Sequence, residues 1–170
     1  MVKTGLSRRA MCAGLAGFAG LGPGRVVASD VIDLEWSDLI PEGETWIPPE
    51  IQGLLPHDEN AMASRQPPSS GVRTDWNGKT VRISGFIVPL DFDGTGLKAF
   101  MLAPFVGACI HVPPPPANQL VLVTTEEPYE ADTMFDPATV TGLFGTVSTA
   151  TELANVGYAL AAETVVPYRR

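Results

Sequence analysis

Cys109 and His111, in the stretch Gly107-Ala108-Cys109-Ile110-His111-Val112, bring a thiol and an imidazole within two residues of each other. On an extended backbone, side chains two apart project to one face, with their Cα atoms about 7 Å apart. A thiolate and an imidazole at that separation can reach one ion, and the pair suits zinc or copper(I). Pro113, Pro114, Pro115 and Pro116 follow at once. They impose a stiff polyproline-like path without internal hydrogen bonds, suited to a preorganised site or a rigid binding surface. Asn118 and Gln119 come next and are placed to orient the loop or a ligand. Two ligands do not close a zinc site. Asp91, Asp93, His57, a glutamate or a second chain would have to complete the set, and Met62 or Met101 could serve copper. Asp93 reads more simply as a turn residue, and His57, in Pro56-His57-Asp58-Glu59, as a solvated loop histidine.

The same pair admits two other readings. Cys109 could act as a nucleophile with His111 as its base, since thiol catalysis needs a lowered thiol pKa and a nearby imidazole. A Cys and a His two apart on one strand are seldom placed for direct proton transfer, and no oxyanion or third-member motif accompanies them. This reading ranks behind metal binding. Alternatively Cys109 is a small buried hydrophobe and His111 bonds the proline loop, free cysteine being among the most buried residue types. The chain would then be a structural adaptor docking through an exposed Pro113–Pro116 loop. Phosphate-cradling glycine loops, serine elbows and paired metal-binding helix motifs are missing from the sequence.

The compartment bears on that thiol. Met1 to Arg9 is short and basic, and the apolar, glycine-rich stretch from Ala10 to Leu21 is too short to span a bilayer as a helix. Ser7-Arg8-Arg9-Ala10-Met11 resembles a twin-arginine signal, and Val26-Val27-Ala28 offers small residues for cleavage after Ala28. Residues 1–28 are therefore read as a signal for export to the periplasm or beyond, with no stable membrane insertion after cleavage. Their removal leaves seven basic against nineteen acidic residues, a net charge of −12. Such a surface repels nucleic acid and anionic lipid and favours cations, metal ions or a basic partner. Cys109 then remains as the lone thiol in an oxidising compartment. It must be buried, liganded, reactive or paired with another chain.

The elements that position the pair read as strands. Residues 29–75 form an irregular arm, interrupted by Pro41, Pro48, Pro49, Pro56, Pro67 and Pro68, with room for a helical turn or two around Pro48–Leu55 and Glu59–Ser64. Trp36, Leu39, Ile40 and Trp46 are its expected anchors on a body spanning residues 76–170. That body predicts five strands: Lys79–Leu90, broken at Gly85; Leu97–Val106, after a turn over Asp91–Gly96; Asn118–Thr125; Thr141–Val147, after a turn at Asp136–Thr139; and Val156–Tyr168. Gly85, Gly142 and Gly145 suggest bends. A long, glycine-bent first strand, three strands, a connection and two more predict an all-β domain, an OB-like five-stranded Greek-key barrel. An open sandwich is the alternative.

Gly85-Phe86-Ile87-Val88-Pro89-Leu90-Asp91 and the block from Pro104 through Cys109 and His111 to Gln119 together resemble an uncharacterised family of exported bacterial proteins, domain of unknown function 3299. Trp36-Ser37-Asp38-Leu39-Ile40-Pro41 is similar to that family's opening, so the resemblance runs from Trp36 to the C-terminus. It carries no catalytic residues. It implies a link to metals by association, since some members occur beside zinc-responsive transporter genes. The expected function is non-catalytic: binding zinc or copper, or a periplasmic or membrane transport protein, around Cys109 and His111.

Overall fold

A computed structural model of the chain describes residues 30–44, 66–92, 96–106, 114–131, 133 and 135–168, with backbone alone for Asp91 and Phe92. These residues are mainly β. Six strands form one mixed sheet: β1 (Ile32–Leu34), β2 (Thr80–Phe92), β3 (Leu97–Ala103), β4 (Val121–Tyr129), β5 (Pro137–Ala150) and β6 (Asn155–Pro167). Their order is β1-β2-β3-β4-β6-β5, and a further β2–β5 pairing joins the two sides, so β2 to β6 bond in a ring. Pairing is antiparallel around the ring except between β4 and β6, which run parallel. Three consecutive strands followed by two that return beside them is the connection predicted for a five-stranded Greek key. Among the described residues no helix is long and apolar enough to cross a membrane.

Gly85, where a bend was expected, lies next to the point at which β2 changes partners. Thr80 to Phe86 pair with β5, and Phe86 to Phe92 pair with β3. A Cβ at Gly85 would lie 2.7 Å from the Ala103 carbonyl oxygen and 2.8 Å from Cζ2 of Trp36. Only a residue without a side chain lets the end of β3 and the indole close on the strand there. The first half of β2 alternates, with Val81 and Ile83 buried and Arg82 exposed. In the second half consecutive residues, Ile87 and Val88, are both buried, because the sheet is covered on two faces. Ile87 joins the main core with Phe100, Leu102, Val121, Val123, Phe144, Tyr158 and Leu160. Val88 joins a smaller cluster on the other face with Met101, Ala103, Leu120 and Val156. The continuous apolar run of β3 has the same cause.

Several boundaries differ from those expected. Asp91 lies in β2 rather than in a turn, at irregularities in the β2–β3 ladder. Asn118 and Gln119 do not open a strand: Ala117–Gln119 is a 3-10 turn, and β4 starts at Val121. β5 begins at Pro137, so the turn expected over Asp136–Thr139 is mostly strand. Of the other two glycines, Gly142 sits at a register shift in the β5–β6 ladder, whereas Gly145 meets nothing within 4 Å. β3 ends at Ala103, short of Val106. The arm carries a strand that sequence reasoning did not foresee, β1, which pairs parallel with Val81–Ile83. The helical turns suggested between residues 48 and 64 lie outside the described residues, as do Trp46 and the signal-like segment.

The arm is held to the ring by a few directed bonds. Its 3-10 turn, Trp36–Leu39, buries Leu39 in the main core, and the Trp36 indole N–H donates to the Ser84 carbonyl at 2.8 Å. The Tyr158 hydroxyl, stacked by its ring on Phe144, donates to the Leu39 carbonyl at 2.7 Å and accepts from the Arg73 backbone N–H at 2.7 Å. One side chain of β6 thus fixes two separate stretches of the arm. Arg73 adds a 3.2 Å bond to the Asp38 carbonyl and lies over the Trp76 ring. Its bond to Asp75 holds that carboxyl below the usual carboxylate range. Burial raises the Tyr158 pKa from its ordinary 10.0, against the opposing Arg73 N–H bond.

Three measurements test these constraints. Gly85→Ala should lower stability by about 1–3 kcal/mol in urea unfolding, because the new methyl must displace backbone and indole together. Tyr158→Phe should cost about 1–3 kcal/mol by leaving the Leu39 carbonyl and the Arg73 N–H without their partner, with faster amide exchange at Arg73 as the local signature. Because the folded-state pKa of Tyr158 is raised, its contribution is complete below pH 10.0 and declines as pH rises beyond it. The phenylalanine variant should therefore lose less stability than the parent chain across that alkaline range.

Candidate functional site

The described parts of the Cys-His-proline block are Pro104 to Val106 and Pro114 to Gln119. Cys109, His111, Pro113, His57, Asp93 and Met62 lie outside the described residues, as does the Asp91 side chain. Met101, the other candidate for copper, is fully buried in the smaller core cluster, where its sulfur meets the Thr151 hydroxyl at 3.7 Å. It serves as a packing residue.

Pro114 and Pro115 are buried and Pro116 is half-buried. These three prolines do not offer the exposed rail that a docking loop requires. They lead into the 3-10 turn Ala117–Gln119, whose first bond runs from the Gln119 N–H to the Pro116 carbonyl at 2.8 Å. The turn lies close against β6: a Cβ at Gly157 would come within 2.7 Å of the Ala117 carbonyl oxygen.

Three arm residues pin this segment. The Gln66 amide donates to the Pro115 carbonyl and to the Asn155 carbonyl, both at 2.8 Å, and its oxygen accepts from the Asn155 N–H at 2.8 Å. Glu44 accepts from the Asn118 amide at 3.2 Å. The Trp36 carbonyl accepts from the Gln119 amide at 2.9 Å, and the same Nε2 also donates to the Asn118 carbonyl at 3.0 Å. The proline tract and the arm therefore form one unit. Asn118 and Gln119, expected to orient the loop or a ligand, bond here to Glu44 and to the Trp36 carbonyl of the arm. Gln66, Glu44 and Gly157 were not foreseen, because nothing local marks a partner 49 or 74 residues away.

Gln119 has a further property. It is 4% exposed, and its Oε1 has no hydrogen-bond partner among the described residues. Exchanging amide oxygen and nitrogen would point the oxygen at two carbonyls, so the donor contacts settle the orientation. A buried carbonyl oxygen without a donor carries a desolvation cost of about 1–3 kcal/mol. It is a neutral acceptor, able to take an N–H or O–H or to approach a cation, and unable to act as an acid or base. Among the described residues no group of three or more His, Cys, Asp and Glu is placed to hold a metal ion.

Comparison with known proteins places this arrangement in a family. The chain is similar to a crystal structure of a DUF3299 family protein from Pseudomonas aeruginosa PAO1, with 36% identity and a TM-score of 0.69. The alignment covers 82% of this chain and 97% of that one. No curated protein matches. The family described as "Protein of unknown function (DUF3299)" matches residues 36–167, which take in the Trp36 turn, the whole ring and the Cys-His-proline block. The chain belongs to the DUF3299 family.

Proposed function

We propose that the chain is an exported binding protein that holds one soft metal ion, zinc or copper(I), through Cys109 and His111, as an accessory to a periplasmic transport or metal-handling system. The observation that carries the reading is the anchoring of Pro114–Gln119. Gln66, Glu44 and the Trp36 carbonyl hold this segment to the arm and ring. The chain leading into it from Cys109 and His111 thus ends on a fixed support, which lowers the entropy lost when two ligands are gathered on an ion. The Gln119 carbonyl oxygen is a buried acceptor eight residues from His111 in sequence, and fits a supporting part in such a site.

Charge agrees with this reading. A chain with nineteen acidic residues and a net −8 attracts cations and disfavours nucleic acid. Export supplies the compartment in which a lone thiol needs protection, and a bound ion protects it. The burial of Pro114 and Pro115 weighs against a proline-docking adaptor. A ligand set of two leaves room for a residue from a second chain or from the protein that receives the ion.

The test is titration of the purified chain with zinc and with copper(I) under reducing conditions, alongside Cys109→Ser and His111→Ala. Saturable binding at one ion per chain, or one per two chains for a shared site, is expected. Each substitution should weaken it by about a hundredfold or more, and bound metal should slow alkylation of Cys109. Binding unchanged in both variants would assign the ion to the acidic surface and end the proposal. For export, Arg8→Lys with Arg9→Lys should retain the precursor inside the cell, read as loss of a product beginning at Ser29.

A further inference from the structure

The ring is not bonded along its whole circumference. β4 and β6 run parallel from Val121/Tyr158 to Thr125/Ala162 and pair no further, although both strands continue, to Tyr129 and Pro167. Two irregularities at the same level separate them. In the β5–β6 ladder Thr141 faces Thr164 and Gly142 faces Ala162, which leaves Glu163 as an extra, bulged residue. A Cβ at Gly142 would overlap the Ala161 carbonyl, so the bulge depends on that glycine. In the β3–β4 ladder Leu97 faces Tyr129 while Ala99 faces Thr124, so Thr125 to Pro128 arch out of register. Bulges bend and twist the strand that carries them. Here they peel two neighbours apart.

The result is a groove of about 900 Å³ between the arched part of β4 and the end of β6. Among the described residues, β6 beyond Ala162 pairs with β5 alone, so its other edge faces the groove. The lining carries Glu126, Glu127 and Glu163, all exposed, and no lysine or arginine. It also carries two apolar side chains that a merely protected edge would not display, Leu143 at 51% and Val166 at 50% exposure. A free strand edge offers main-chain hydrogen bonds to an extended segment, and alternating side chains of that segment then meet the walls.

From these features we infer that the groove between β4 and β6 is a docking site for an extended, positively charged segment of a partner protein, which adds as a strand to the free edge of β6. Apolar residues of the segment rest on Leu143 and Val166, and its cations face the three glutamates. A second copy of this chain is a poor occupant, because its net charge of −8 opposes the lining. The inference is independent of the metal reading, which concerns another part of the chain.

Three labelled short peptides test it by fluorescence anisotropy with the whole chain: alternating lysine and valine, alternating glutamate and valine, and the lysine peptide N-methylated at alternate amides. The lysine peptide should bind saturably and slow exchange of the amides between Glu163 and Val166. The glutamate and N-methylated peptides should each bind at least about tenfold more weakly. Glu126→Lys with Glu163→Lys should weaken the lysine peptide by about tenfold or more at an unchanged Tm. Absence of binding would mean that the glutamates and bulges only protect an edge, and would overturn the inference. Equal binding of the N-methylated peptide would reduce it to surface charge and overturn it too. Protection of the same amides that grows with protein concentration, without peptide, would assign the groove to a second copy and likewise refute it.

Discussion

Everything in the ring depends on one strand serving two neighbours in succession. β2 bonds β5 up to Phe86 and β3 from Phe86 onward, so the residue just before the exchange must let other elements approach. Gly85 does so. The space a Cβ would take is filled by the Ala103 carbonyl, the Leu102 side chain and the Trp36 indole. A side chain there would push the end of β3 away from β2, and the Trp36 ring away from the Ser84 carbonyl to which it donates. Ring closure and arm attachment therefore meet at one position.

The arm is part of the fold rather than a tether. Tyr158 bonds to both of its described stretches, Gln119 binds the backbone of its first turn, and Gln66 clamps its later stretch to the proline tract and to β6. Each bond joins residues far apart in sequence, so the loop-closing entropy is large and is offset jointly with burial of Leu39 and the Trp36 face. The exposed Arg82–Asp33 ion pair adds little by comparison, since solvent screens it. Arm and Pro114–Gln119 are thereby joined into one unit, which is the support on which the proposed binding role rests.

The β4–β6 pairing shows the reverse tendency. Where β4 and β6 separate, two bulges and a glycine open a ladder that could have continued. The groove so formed leaves Leu143 and Val166 half exposed beside Glu126, Glu127 and Glu163.

Legible in the chain alone were the all-β class, the five principal strands, Gly85 as a special position of β2, and Trp36 and Leu39 as anchors. These follow from short-range physics: alternation of apolar residues, the backbone freedom of glycine, and the conspicuousness of indole and leucine in a polar arm. The family was legible in the same way, from local motifs. Long-range packing settled that Asn118 and Gln119 form a buried turn, that β1 adds in parallel at the edge, that Pro114 and Pro115 are covered, and that the ring parts at Glu163. Each of these depends on which distant segment lies alongside. A parallel pairing, a shared bulge or an amide reaching 83 residues back to Trp36 leaves no periodic trace in the chain that makes it.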